Sequence, residues 1–430
     1  MKRAGRRWRT TAVVGATLLL ATACGNADDT SGGDDPDTGS TATQADADTT
    51  ESDAGDAESE AAEPDGEPIT IGVIEDRTGP GSFFSQQATS VLRVAVERTN
   101  VNGGVLGRPL ELVFEDDQAD STLSASLARK MIEDGAVAIF SLSGSASAIQ
   151  IKPVLAEEQV VGIAPTNLNT DIVSGEDGKW SFMVANPISD IATVYTDAYA
   201  EVGIESVGFA YDDDATLEGL TQGLMIPQFE EAGIEIPAAE ALPIDASDIT
   251  AEVLRIQEAN PDAVFMASFG GPLEPMFYNT MQQLGYEAPR FSLASIGNMP
   301  DTWGLADEGA LDGLVYAGSI STENELVPEL DAILSEELDD YVQMTAFHAQ
   351  AWDAVRLLVA AIEDAGAAEG PAIRDALESV SIDATFGQPG HVLSYSPDDH
   401  MATAGLCGLV LGQFEGNAPG DPWDGYQPSC

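Results

Sequence analysis

Basic residues are scarce in this chain. It holds 17 Lys and Arg against 73 Asp and Glu in 430 residues, a formal net charge of −56 at pH 7. After the first nine residues the lysines are only Lys130, Lys152 and Lys179. Such a surface repels polyanions, which argues against nucleic acid and anionic lipid as partners. Two interpretations of the acidity stay open: a cationic ligand, or a strongly hydrated surface adapted to high salt, since so large a charge repels itself unless it is screened.

The sequence also lacks the motifs of common catalytic sites. The three histidines, His348, His391 and His400, do not have a metal-type spacing such as HExxH. There is no GxSxG elbow, no GxxxxGKS/T phosphate loop and no GxGxxG after a strand. The acidic run DDDA at 212–215 lacks the spacing of a calcium loop. We therefore expect a protein that is not an enzyme and that uses no cofactor or metal.

Long hydrophobic runs are missing as well. The apolar stretch AVVGATLLLATA at 12–23 follows a basic start and is too short to cross a bilayer core of about 30 Å as a helix. This pattern predicts an export signal over 1–24. The small residues directly before Cys24, in LATAC, resemble the lipobox of bacterial lipoproteins, which implies a lipidated Cys24 and a lipid-anchored protein on the outer face of the cell membrane. Ordinary cleavage near Cys24 is the alternative.

The segment 25–67 contains 15 acidic residues and no Lys or Arg. It cannot bury enough apolar surface to fold, and its like charges extend it, so we predict a disordered acidic tether. Only two cysteines remain beyond Cys24. Because an exported chain meets an oxidising exterior, Cys407 and Cys430 are predicted to form a disulfide that holds the Gly- and Pro-rich tail.

The densest pattern lies at 102–145. A Gly-rich turn leads into the alternating strand PLELVFED, an amphipathic helix follows, and the apolar run AVAIF ends in the loop SLSGSAS. This β-α-β order predicts parallel strands with a right-handed crossover. Open α/β sheets bind ligands at the carboxyl ends of their strands, where small hydroxyl residues can both donate and accept hydrogen bonds. A connecting loop without function is the alternative.

The same alternation of helices and strands begins again after residue 187 and continues to 318. The 363 residues from 68 to 430 exceed what one hydrophobic core usually spans. We therefore predict an α/β fold with two Rossmann-like, doubly wound lobes that face each other across a ligand cleft. Later residues must return to the first lobe, since 68–187 alone would form an incomplete sheet.

The segment NGGVLGRPLELVFEDDQ with the SLSGSAS loop resembles the type I periplasmic solute-binding proteins of branched-chain amino-acid-type ABC transporters, the leucine/isoleucine/valine-binding family. The resemblance extends over 68–430. It implies three crossovers between the lobes, near residues 187, 318 and 387, and closure on a ligand by hinge motion. The implied boundaries are 68–187 plus 319–386 for lobe 1, and 188–318 plus 387–430 for lobe 2.

The resemblance also implies a binding site. In lobe 1, hydroxyl and backbone groups would hold a carboxylate while an aromatic ring covers the ligand. In lobe 2, the family usually places two aromatics and an acid. Leu168 departs from the usual Thr, Thr216 from an aromatic and Ser295 from the acid, whereas Phe269 matches. For the two phenylalanines, core packing is the competing role. The implied ligand-binding residues are Phe84, Ser143, Ser145, Thr166, Asn167, Leu168, Thr216, Phe269 and Ser295.

These features predict a monomeric, membrane-tethered receptor that delivers a small polar solute to the permease subunits of an ABC importer. An amino acid, an amide, a urea-like compound and a small carboxylate all remain open as the solute. A buried ammonium needs an anionic partner, and with Ser295 in place of the acid, Glu75, Asp76, Asp213 or Asp214 would have to supply it. The alternative function is a ligand-sensing module on the same fold that feeds a signalling partner.

Overall fold

The computed structural model describes residues 64–403 and 405–430, except for the side chain of Ala215. The predicted export signal over 1–24, the predicted lipidation site Cys24 and the predicted tether up to residue 63 lie outside the described residues. Between 64 and 430, none of the described helices is both long and apolar enough to cross a membrane.

Lobe 1 is built on a sheet of five parallel strands in the order β2-β1-β3-β4-β5. Every residue of the third strand is buried, as a strand covered by helices on both faces requires. Three helices connect the first four strands. The elements are β1 Ile69–Glu75, α1 Ser82–Val101, β2 Leu110–Asp116, α2 Ser121–Glu133, β3 Ala138–Leu142, α3 Ser145–Glu158, β4 Val161–Ala164 and β5 Ser181–Met183.

Lobe 2 repeats this logic after the first crossover. Five further strands pair in parallel in the order β10-β9-β8-β6-β7. A π-helical turn, Thr221–Met225, lies between α5 and α6. The elements are α4 Ile188–Val202, β6 Ser206–Asp212, α5 Ala215–Leu220, α6 Ile226–Glu231, β7 Glu235–Leu242, α7 Thr250–Ala259, β8 Ala263–Ala267, α8 Leu273–Gln283, β9 Arg290–Ser292, α9 Pro300–Trp303 and β10 Val315–Ala317.

The chain then continues in lobe 1, where it adds helices and a small two-stranded sheet rather than strands of the main sheet. The last two strands extend the sheet of lobe 2, where β13 pairs antiparallel with β10 and β14 antiparallel with β13. The elements are α10 Leu326–Glu337, α11 Ala346–Ala365, α12 Gly370–Leu377, β11 Ser381–Asp383, β12 Val392–Ser394, β13 Leu411–Glu415 and β14 Ala418–Pro422.

The third crossover lies later than residue 387. Leu393 and Ala402 are buried in the core of lobe 1, whereas Leu409 is buried in the core of lobe 2. At Gly387 the chain only touches the second crossover, since its N–H donates to the carbonyl oxygen of Ser319 at 2.7 Å. It then goes back to lobe 1 because apolar side chains such as Leu393 find their burial there, and it enters lobe 2 after residue 402.

The predicted disulfide is confirmed. Cys407 and Cys430 are joined, with their Cα atoms 4.8 Å apart. The tail between them packs on lobe 2: Trp423 lies against Phe291, and the side chain of Gln427 accepts a hydrogen bond from the backbone N–H of Leu411 at 3.0 Å. The bridge therefore ties the end of the chain to the third crossover.

Candidate ligand-binding site

A cavity lies between the two lobes, where loops at the carboxyl ends of both parallel sheets meet. Its atom-free space is about 890 Å³, including its opening to solvent. Ser145 follows β3 and Thr166 follows β4 on the side of lobe 1, while Phe269 follows β8 and Ser295 follows β9 on the side of lobe 2. Strand ends of a parallel sheet share one edge, and this edge is where such sheets bind ligands.

Eight of the nine residues predicted to bind ligand line this cavity. Ser143 is the exception, because it lies one layer beneath the wall and is fully buried. Its carbonyl oxygen accepts a hydrogen bond from Asn167 Nδ2 at 2.8 Å, and Ser147 Oγ lies 3.2 Å from its hydroxyl. Ser143 thereby positions Asn167. The eight that line the cavity are Phe84, Ser145, Thr166, Asn167, Leu168, Thr216, Phe269 and Ser295.

The wall of lobe 1 offers hydrogen-bonding groups. Ser145 begins α3, and its N-cap residue Gly144 provides no side-chain cap, so the first N–H groups of this helix are available at the cavity. Helix N-termini carry partial positive charge and favour an acceptor or an anionic oxygen. Thr166 is only 8 % exposed, and its Oγ1 has no hydrogen-bond partner among the described residues. These groups can receive the polar end of a solute.

Helix α11 contributes to the same wall, which the sequence reasoning missed. Ala346, Phe347 and Gln350, from its first two turns, line the cavity. The ring of Phe347 lies 6.0 Å from that of Phe84, centroid to centroid, so the two aromatic rings border the site together. The sequence contains one signal for this contribution: the polar residue Gln350 follows Phe347 by three positions, and residues at that spacing share one face of a helix.

The wall of lobe 2 is mainly apolar. Leu217, Leu220, Phe269 and Leu293 line it. Of the two hydroxyl residues predicted there, Ser295 is already engaged, because its Oγ donates to the carbonyl oxygen of Ser268. The second sheet thus presents a surface that can enclose a hydrocarbon body rather than hold an ionic group.

Asp212 supports this apolar wall from below. Its Oδ2 accepts hydrogen bonds from Ser268 Oγ and from the backbone N–H of Phe269, both at 2.9 Å. Burial raises the pKa of Asp212 to about 6. The carboxylate therefore holds the loop that carries Phe269, and it is not among the residues that line the cavity.

Among the described residues that line the cavity, none is ionisable. The acids considered as partners for an ammonium are engaged elsewhere or exposed. Glu75 accepts from Thr89 Oγ1 at 2.7 Å and also pairs with Arg77, and Asp214 caps α5 by accepting from the backbone N–H of Thr216 at 2.8 Å. Asp213 is exposed. None of them contributes to the cavity wall.

Asp76 also has a structural role. Its two carboxylate oxygens accept the backbone N–H groups of Gly79 and Gly81, each at 2.6 Å, and thereby shape the loop before α1. Burial raises its pKa, and the neighbouring carboxylates Asp116 and Asp117 add to that rise. These three acids form a cluster, and their oxygens hold loops through hydrogen bonds within the protein.

Residues 68–408 match the family described as periplasmic binding protein. The chain belongs to this family. Periplasmic binding proteins bind solutes in the periplasm or outside the cell and do not catalyse reactions, so the prediction that the chain is not an enzyme is confirmed, as is the two-lobed α/β fold.

Individual relatives have low sequence identity to this periplasmic binding protein but align with most of its length. The "Leu/Ile/Val-binding protein BraC3" of Rhizobium johnstonii is 25 % identical over 76 % of this chain and 90 % of its own length. The "Leucine-, isoleucine-, valine-, threonine-, and alanine-binding protein" of Pseudomonas aeruginosa is 25 % identical over 75 % and 85 %. The crystal structure of the branched-chain amino acid transporter substrate binding protein LivJ from Streptococcus pneumoniae, in complex with isoleucine, shares the fold with a TM-score of 0.70 at 18 % identity over 84 % of this chain and 100 % of that one.

Proposed function

We propose that this periplasmic binding protein is the solute receptor of an ABC importer and is anchored to the outer face of the cell membrane through Cys24. The observation that carries the proposal is a cavity lined by residues of both lobes, eight of which were expected from sequence. The relatives bear names of amino-acid-binding proteins, and the small residues before Cys24 support the anchor.

The proposed solute has a hydrogen-bonding end and an apolar body, and a solute without net charge fits the cavity best. Lobe 1 offers Ser145, Thr166 and the start of α3 to the polar end, whereas Leu217, Leu220 and Phe269 enclose the body. Because no ionised side chain lines the described cavity, a net charge on the solute would lose its hydration without a partner. A branched-chain amino acid, whose two charges balance each other, meets this description.

Solutes other than amino acids remain in the proposal, because the ammonium group of an amino acid would find no carboxylate partner in the described wall of the cavity. Neutral amides and urea-like compounds avoid that problem. A small carboxylate would depend on the N-terminus of α3 alone to balance its charge. A solute contacts both walls only when the lobes approach each other. Each of these solutes would therefore bind the closed state more tightly than the open state and favour closure. The permease would then recognise the surface of the closed protein.

The proposal is tested with the purified mature chain. Thermal shifts and titration calorimetry should show binding of leucine, isoleucine or valine, or of neutral amides of similar size. Diamines and dicarboxylates should not bind. Mass spectrometry of small molecules that co-purify gives an independent answer. Stable, folded protein that binds no member of the panel would contradict the receptor function.

The anchor has its own test. The variant Cys24→Ala, expressed in a bacterium that processes lipoproteins, should release the protein into the medium, while the unchanged chain should fractionate with membranes. Equal release of the variant and the unchanged chain would contradict the lipid anchor. The receptor function would then still be judged from the binding data.

A further inference from the structure

Asn298 connects the two lobes directly. It ends the short turn Ile296–Asn298 of lobe 2 and is only 2 % exposed. Its side-chain Oδ1 accepts a hydrogen bond from the backbone N–H of Ala346, the first residue of α11 in lobe 1, at 2.8 Å. Its carbonyl oxygen accepts a second hydrogen bond from Gln87 Nε2 on α1, also in lobe 1, at 2.9 Å. Two helices of lobe 1 therefore hold one residue of lobe 2.

The donors of lobe 1 are oriented for this contact. Thr345 Oγ1 lies 2.9 Å from Gln87 Oε1 and donates to it, which turns the amide nitrogen of Gln87 toward Asn298. Thr345 Oγ1 also lies 3.0 Å from His348 Nδ1, but this nitrogen already accepts the backbone N–H of Thr345 at 3.1 Å, so the hydroxyl hydrogen is left for Gln87. That arrangement requires a neutral imidazole, and burial lowers the pKa of His348 to about 4.

The acceptors of lobe 2 are fixed as well. Asn298 Nδ2 donates to the carbonyl oxygen of Ala294 at 2.8 Å, and Trp303 Nε1 donates to that of Ile296 at 2.6 Å. The ring of Tyr316 packs against the same turn so closely that a Cβ at Gly297 would lie 2.0 Å from its Cδ2. The turn thus presents its acceptors in one orientation, and little conformational entropy is lost when they meet their donors.

We infer that Asn298, Gln87 and the first N–H of α11 form an interlobe latch that sets the balance between open and closed states. Both donors lie in lobe 1 and both acceptors on one residue of lobe 2, so hinge opening breaks the two bonds together. The first N–H groups of a helix have no partner within the helix, and for Ala346 the partner is supplied across the cleft. Asn298 and Ala346 also line the solute cavity, whereas Gln87 does not, so a change at Gln87 tests closure separately from solute contact.

The latch is tested in the full mature chain with spin labels on the exposed faces of α2 in lobe 1 and α7 in lobe 2. Pulsed electron spin resonance then measures the distribution of interlobe distances without added solute. Gln87→Leu and Asn298→Ala each remove one of the two bonds, and each should shift the closed-to-open ratio roughly tenfold toward open, the change expected for one hydrogen bond of ordinary strength. The double variant should shift it further, since the two bonds are separate.

A matched control makes the result specific. Gln86→Ala changes the exposed neighbour on α1 and should leave the distances as in the unchanged chain. Circular dichroism and urea unfolding establish that every variant is folded. Unchanged distances in folded Gln87→Leu would overturn the latch, and so would equal opening of Gln86→Ala and Gln87→Leu. Neither result bears on whether the protein is an importer's receptor.

Discussion

The two walls of the cavity differ in chemistry although they come from the same kind of strand end. Lobe 1 presents hydroxyl and amide groups, among them Ser145, Thr166 and Gln350, beside the start of α3. Lobe 2 presents Leu217 and Phe269 and keeps its carboxylate beneath the surface. The fold therefore provides a position for recognition in each lobe, while the side chains decide what each position recognises. Lobe 1 orients a polar end, and lobe 2 encloses an apolar body.

The lobes also differ in how they bury an acid. In lobe 1, Asp353 is fully buried but pairs with Arg356 at 2.6 Å, and burial raises its pKa to about 6. In lobe 2, Glu274 is fully buried without a cation, and its Oε2 has no hydrogen-bond partner among the described residues. Burial, reinforced by the charge of Asp212, raises the pKa of Glu274 to about 8.

The largest effect is expected at Glu274. An unfolded glutamate ionises near pH 4.5, whereas the folded one keeps its proton to about pH 8. The folded state therefore binds more protons in this window, and the free energy of unfolding falls as the pH rises from about 4.5 to about 8. Glu274→Gln removes this loss and should stabilise the protein at pH 8 by roughly 2–4 kcal/mol. Urea unfolding at pH 5, 6.5 and 8 measures it.

The exposed Glu258→Gln on α7 is the matched control and should leave the pH dependence unchanged. If the free energy of unfolding of Glu274→Gln depends on pH in the same way as that of the unchanged chain, the buried acid does not govern the stability of lobe 2. The contrast with Asp353 would then be lost.

A second effect should also be confined to one lobe. Replacing Cys407 and Cys430 together by Ser opens a bridge between residues 23 positions apart in the chain. The free energy of unfolding should fall by about 3 kcal/mol, because the unfolded chain gains conformational freedom. Hydrogen exchange should show faster exchange in β10 and β13 and little change in β1 and β3. Equal loss of protection in both lobes would show that the bridge stabilises the whole molecule.

Ser145→Ala addresses the polar wall. If its hydroxyl holds the solute, the change should weaken binding by about 1–3 kcal/mol, or roughly tenfold to a hundredfold, for every solute that binds. Titration calorimetry against the members of the panel that bind gives the value. Ser126→Ala, an exposed change on α2, serves as the control. Unchanged affinity in Ser145→Ala would assign this hydroxyl a structural role.

The smallest change is expected at the apolar wall. Phe269→Leu keeps the wall apolar and should alter binding by less than about 1.5 kcal/mol. Its signature is a changed order of preference among solutes with different apolar bodies, whereas Ser145→Ala should lower all affinities alike. If Phe269→Leu lowers every affinity by the same factor, the proposed division between the walls fails.

Much of the fold could be predicted because its sequence signals are local: alternating strands, amphipathic helices and small residues at strand ends indicated two parallel sheets. The eight cavity residues were implied by the family resemblance. Two prolines lie within regular elements. Pro237 lies in β7, which is at the edge of its sheet, where a missing N–H is tolerated. Pro227 falls at the start of α6, directly after the π-helical turn, where its missing N–H costs little.

What could not be predicted depends on contacts between distant segments. Gln350 and Phe347 reach the cavity because α11 packs beside α1. Their spacing places them on one face of the helix, but nothing local to α11 determines that this face borders the cavity. No local pattern marks Asn298, since its partners Gln87 and Ala346 belong to the other lobe. The third crossover was expected near 387, whereas the burial of Leu393 decides that the chain first returns to lobe 1.

This late return has a consequence for the order in which the molecule assembles. The five parallel strands of each lobe come from one continuous stretch, but the core of lobe 1 also needs Leu393 and Ala402, and the sheet of lobe 2 also needs β13 and β14. Bringing such distant segments together costs loop-closure entropy and slows folding. A chain that emerges with its N-terminus first must therefore keep the core of lobe 1 incomplete until residue 402 has emerged, and lobe 2 gains β13 and β14 only after that. Neither lobe can be completed before almost the whole chain is outside.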